Sequence, residues 1–144
     1  MCKKIILSTI VVGIVMTILG FIGQATWVSA LHPTLMQEYE SGAYRAFSDP
    51  LMSYVFVHPF VIALIMSLVY VWFNPFQKIK DIYKKGAYYG FVFWLIGTLP
   101  GMLITLSSFS PDVVSEKTIL VWTLDGLLKF VIGGVALVYL MNKK

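Results

Sequence analysis

The sequence predicts an all-α, multi-pass integral membrane protein: an antiparallel bundle of four transmembrane helices. Three observations carry that expectation. Hydrophobic residues make up 58% of the 144 residues and charged residues only 12%. The mean hydropathy is +0.82. The apolar residues gather in four long runs separated by short, lysine-bearing connections. Soluble domains average about 45–50% apolar and about 25% charged residues. The shortage of charge therefore excludes a water-soluble globular fold, a disordered tail and a nucleic-acid module. The net charge of +4 does not restore the last, because the lysines form short clusters between apolar runs. The expected partner is the lipid bilayer, with a second copy or another membrane protein also possible, and no nucleic acid.

The four runs fall at residues 5–30, 51–73, 86–107 and 118–141. Each meets the roughly 20 residues a transmembrane helix needs. Continuous apolar runs favour helices over barrel strands, which alternate apolar and polar positions. Too little chain remains outside the runs for a second domain, so residues 1–144 read as a single four-helix transmembrane domain.

The first run begins like a signal peptide, with Lys3 and Lys4 ahead of it and a small-residue Val28-Ser29-Ala30 site at its end. Its uninterrupted apolar stretch reaches from residue 5 to 22, longer than the 7–15 residues typical of a secretory h-region, which favours a retained anchor. The connection 31–50 is the longest. There Leu35, Met36, Tyr39 and Ala43 recur at helical spacing, compatible either with an amphipathic segment on the membrane surface or with a solvated loop. Asp49-Pro50 supplies an N-cap acid and a first-turn proline for the second run. Ser110-Pro111-Asp112 suggests a similar start for the fourth, about two turns before its apolar core. Trp27, Tyr54, Tyr70, Trp72, Tyr88, Tyr89, Trp122 and Tyr139 stand near the predicted interfaces, where amphipathic rings anchor helices.

Orientation follows from the lysines. Lys3, Lys4, Lys78, Lys80, Lys84, Lys85, Lys143 and Lys144 share one side, whereas Arg45 and Lys117 lie on the other. The positive-inside rule then puts both termini in the cytoplasm of a cell membrane, with the basic connection 74–85 facing anionic lipid.

Packing signals concentrate in the third run. Gly86, Gly90, Gly97 and Gly101 form two small-xxx-small pairs and, by helical spacing, one glycine stripe for close contact with another helix of the chain or with a second copy. Pro100 interrupts the same run and Pro59 the second.

Asp125 and Lys129 are the only charged residues inside any run. Either would cost about 2.5–3.5 kcal/mol at a helix centre facing lipid, so both are expected inside the bundle. Their i, i+4 spacing puts them on one face, and Gln24 and His58 can reach the same depth from other helices. The four form a candidate buried polar site: bundle-neutralising glue on one reading, a binding site for a substrate, ion or lipid headgroup on the other.

No motif assigns chemistry. Cys2 is the single cysteine, no His-Glu-x-x-His occurs, and no second intramembrane histidine stands ready to ligate a haem with His58. Neither a cofactor nor a metal site is expected, and no catalytic residue is assigned. The sequence favours a non-catalytic membrane component or binding subunit over a small oligomeric transporter using Asp125 and Lys129. A membrane enzyme acting on lipid or quinone ranks last.

Overall fold

The computed structural model describes residues 1–33, 35, 37, 48–74, 78–108 and 114–143, and these are helical apart from short connections. The first helix, α1, spans Cys2–Gly23, then widens into a π-helical turn over Gln24–Val28 and closes with Ser29–Leu31. It stops at His32, which leaves helical geometry (φ −136°, ψ 73°) ahead of Pro33, as the residue before a proline must. The helix α2 spans Tyr54–Phe73. A 3₁₀ turn, Pro50–Ser53, leads into it, and the Asp49 carboxylate accepts the Leu51 N–H at 2.8 Å, so the aspartate–proline start expected from sequence is present.

The helix α3 covers Ile82–Gly97. It begins a turn earlier than its apolar run because Asp81 caps it, accepting the Lys84 N–H at 2.8 Å. The chain breaks at Thr98 and resumes as α4, Leu99–Ser108. Pro100 explains the break, since it has no N–H to return to the Ile96 carbonyl. The last helix, α5, covers Glu116–Asn142, with Ser115 as its cap. The expected start at Ser110-Pro111-Asp112 lies outside the described residues, as do Met36, Tyr39 and Ala43 of the long connection.

Four helical stretches are long and apolar enough to cross a membrane: Cys2–Leu31, Pro50–Phe73, Ile82–Ser108 and Glu116–Asn142. Their outward faces are apolar, with Ile6, Ile10, Ile14, Ile18, Phe21, Trp72, Ile96 and Ile104 all exposed. The inward faces combine large apolar residues such as Val12, Met66 and Leu137 with small and polar ones. Ser8 and Ser67 are buried and share a hydrogen bond at 3.1 Å. In water this distribution would be unfavourable, whereas in lipid it is the expected one, because helices there associate through small residues and hydrogen bonds.

Glycine sets the closest approaches. A Cβ at Gly86 would overlap the backbone of Gly134 and Val135 in α5, and one at Gly90 would overlap Phe130 and Val131. On α1, Gly13 gives way to the ring of Phe60. Gly97 and Gly101 meet nothing within 4 Å, so within the chain the close contact expected of the four glycines is made by Gly86 and Gly90 alone. The interruption at Thr98 falls between the two pairs, and of the four glycines only Gly86 and Gly90 lie against the α5 backbone.

A second correction concerns the aromatic anchors. Tyr70 and Tyr89 are core residues, 1% and 2% exposed, packed edge to face with centroids 5.3 Å apart. Tyr89 donates its hydroxyl proton to the Met66 carbonyl at 2.6 Å, and Tyr70 donates to Asn74 at 2.9 Å. A satisfied hydroxyl makes an interior position affordable for a tyrosine. Tyr54, Trp72, Tyr88 and Tyr139 do stay exposed.

Candidate functional site

The half of the molecule that holds both termini is closed by paired polar groups. Asn142 donates to the Tyr70 hydroxyl at 2.8 Å, Lys85 donates to Asn74 at 3.1 Å, and Lys4 donates to the Lys143 carbonyl at 2.7 Å. These bonds tie α1, α2, α3 and α5 together.

The other half is built differently. A cavity of about 580 Å³ opens there, lined from α1, α2, α4 and α5. Gln24, His58, Asp125 and Lys129, the four polar candidates of the sequence, all line it. Two more polar groups join them, Thr17 and Thr98, and the remaining walls are apolar or aromatic, including Phe21, Phe56, Trp122 and Phe130. The size falls in the range of small-molecule sites, about 300–1,000 Å³.

Each polar group reaches the cavity for a local reason. Gln24 stands at the start of the π turn, where the helix carries one extra residue and its face rotates. Side-chain bonds brace that turn: Thr26 donates to the Ile22 carbonyl at 2.6 Å and Ser29 to the Gln24 carbonyl. His58 precedes Pro59 in α2. Thr98 is the break between α3 and α4. Asp125 and Lys129 are one turn apart on α5, with Lys129 Nζ 2.5 Å from Asp125 Oδ2.

Burial is unequal across that pair. The Asp125 side chain is 3% exposed and that of Lys129 is 28%. Asp125 Oδ1 is buried with no hydrogen-bond partner among the described residues. It rests against Gly23, where a Cβ would overlap it, so the glycine on α1 makes room for the carboxylate. The Trp27 indole crowds the same glycine, and its buried Nε1 also lacks a partner among the described residues. No family model, curated protein or solved structure matches the chain.

Chemically, the cavity offers one ammonium, one imidazole and one carboxamide beside aromatic walls. Among the described residues no three His, Cys, Asp or Glu side chains converge as a metal site would require.

The sequence also missed a cluster. His32 is 3% exposed, and its Nε2 lies 2.7 Å from Thr118 Oγ1 and 3.1 Å from Ser115 Oγ. It joins the end of the first span to the start of α5. The only sequence signal was a histidine between an apolar run and a proline, with no hint of its partners more than eighty residues away.

Proposed function

We propose that the chain is a membrane protein of four antiparallel spans, with both termini in the cytoplasm, that binds a small lipophilic molecule between its helices as a non-catalytic component. The observation carrying this is the cavity itself, where Gln24, His58, Thr98, Asp125 and Lys129, from all four apolar stretches, line one space beside aromatic walls. Bundle glue alone would require only the Asp125–Lys129 pair. Gln24 and His58 need not face open space to serve it.

The test is co-purification. Protein extracted in mild detergent and examined by native mass spectrometry should carry a bound small molecule. Gly20→Phe should lose it, because Gly20 lines the cavity and a Cβ there meets only Lys129, at 3.9 Å or beyond. Equal retention in both proteins, or none in either, counts against the proposal. Orientation is tested separately. Gln37→Cys should react with an impermeant thiol reagent added outside intact cells and Lys80→Cys should not, after Cys2→Ser; the reverse pattern would invert the topology.

A second reading, an oligomeric transporter, draws on one further observation. Two backbone irregularities, the π turn at Gln24–Val28 and the break at Thr98, border the cavity from different helices. Transporter sites are commonly built at such interruptions. Four helices enclose no pathway alone, so a monomer in lipid nanodiscs would remove this reading.

A further inference from the structure

Within the cavity, the groups a ligand can reach are unlike in kind. The Asp125 carboxylate is out of reach: Oδ2 is covered by Lys129 and Oδ1 is buried against Gly23. The Lys129 ammonium is partly exposed, and Gly20 leaves ordinary contact room beside it. His58 is exposed, Gln24 is half-buried, and both line the same space. The accessible polar surface is therefore led by the Lys129 ammonium, which keeps two N–H donors beyond its bond to Asp125, while the Gln24 carboxamide and the His58 imidazole can each donate and accept.

Charge narrows the choice. Asp125 and Lys129 together carry none, so an anion would add an uncompensated charge to a low-dielectric site, and a cation would find no carboxylate oxygen to face. A neutral acceptor suits the site better. Phe21, Phe56, Trp122 and Phe130 line the remainder, with the Phe21 and Phe56 ring centroids 6.0 Å apart, and such walls favour a flat apolar body.

We propose that the cavity takes a neutral, membrane-dissolved carbonyl compound of the quinone type, whose carbonyl oxygen accepts from Lys129 while its ring lies among the aromatic side chains. This rests on the cavity being a binding site at all, and the experiment separates the two claims. Protein in phosphatidylcholine nanodiscs is titrated with a decyl-substituted benzoquinone, and tryptophan quenching is followed. The expected result is a saturable component that disappears in Trp122→Phe. It should weaken at least tenfold in the double variant Asp125→Asn/Lys129→Met, which keeps the site neutral, and in His58→Phe, whose ring retains the shape without the N–H.

Decanol and decanoate are added as competitors. Displacement by decanoate at lower concentration than by unlabelled quinone would overturn the quinone assignment and leave a binding cavity that prefers anions. Displacement by decanol at lower concentration would overturn it in favour of a hydroxyl head. Unchanged affinity in both variants would overturn it by placing the quinone elsewhere. If none of the three probes saturates, the cavity does not bind lipophilic molecules and the function proposed above falls with it.

Discussion

The two halves of this molecule solve the same problem in opposite ways. Near the termini, glycine brings backbones together at Gly86 and Gly90, and the buried hydroxyls of Tyr70 and Tyr89 find partners, although Thr9 Oγ1 has none among the described residues. In the other half Gly97 and Gly101 meet nothing within 4 Å, and a cavity takes the place of packing. The same residue types occur in both halves. Neighbours make the difference: Gly86 and Gly90 lie against the α5 backbone, whereas Gly97 and Gly101 meet nothing within 4 Å. A small-xxx-small pair is an interface only where a neighbouring backbone comes to meet it.

The largest effect expected from this contrast is at Gly90. Gly90→Leu should yield no folded protein in detergent, since the obstruction is the backbone of α5 and not a movable side chain. That is worse than the roughly 1–3 kcal/mol of ordinary core overpacking. Gly101→Leu should leave thermal stability within about 0.5 kcal/mol, as at an open surface position. Equal losses at the two glycines, read by circular dichroism melts, would erase the distinction between the halves.

Next comes the ion pair. Breaking a buried pair costs about 3–5 kcal/mol because one charge is left uncompensated. The unequal burial makes the losses unequal. Lys129→Met strands a carboxylate that is 3% exposed, whereas Asp125→Asn strands an ammonium that is 28% exposed and retains some access to water or headgroups. Lys129→Met should therefore be the more damaging, and the double change should recover most of the loss. Simple additivity would mean that each residue has a different partner.

These cases also show what the sequence made legible. Helix number and approximate limits were readable because apolar run length is a local property, and Asp49-Pro50 marked a start because a cap acts within three residues. Gln24, His58, Asp125 and Lys129 were brought together by depth alone, since helical rise converts residue number into height. Facing direction was not legible where a helix changes form. The spacing of Gly86, Gly90, Gly97 and Gly101 did not reveal that only the first two meet α5 within this chain, because spacing names a face and not the neighbour that covers it. Tyr70 and Tyr89 were misassigned because their partners, Asn142 and the Met66 carbonyl, come from other helices. His32 was missed for the same reason, its partners Ser115 and Thr118 being distant in sequence.

The smallest effect sharpens the polar side of the comparison and needs two conservative aromatic changes measured together. Tyr89→Phe, in the closed half, deletes a hydroxyl that donates to the Met66 carbonyl at 2.6 Å. A satisfied buried hydrogen bond contributes about 0.5–1.5 kcal/mol, so a loss near 1 kcal/mol is expected. Trp27→Phe, in the other half, deletes an indole Nε1 that is buried with no partner among the described residues. Removing an unsatisfied donor relieves a desolvation cost of about 1–3 kcal/mol. The smaller ring gives up part of its packing against Val28, Leu35 and Val121, a loss of comparable size at roughly 25 cal/mol per Å² of apolar surface. The two terms oppose each other, so Trp27→Phe should change stability by less than about 1 kcal/mol and is permitted to raise it, while Tyr89→Phe only lowers it. Melting curves of the two variants in one detergent decide the matter. A Trp27→Phe loss matching or exceeding that of Tyr89→Phe would mean that the indole N–H has a partner in the folded protein, and the half with the cavity would then be as well satisfied as the half that is closed.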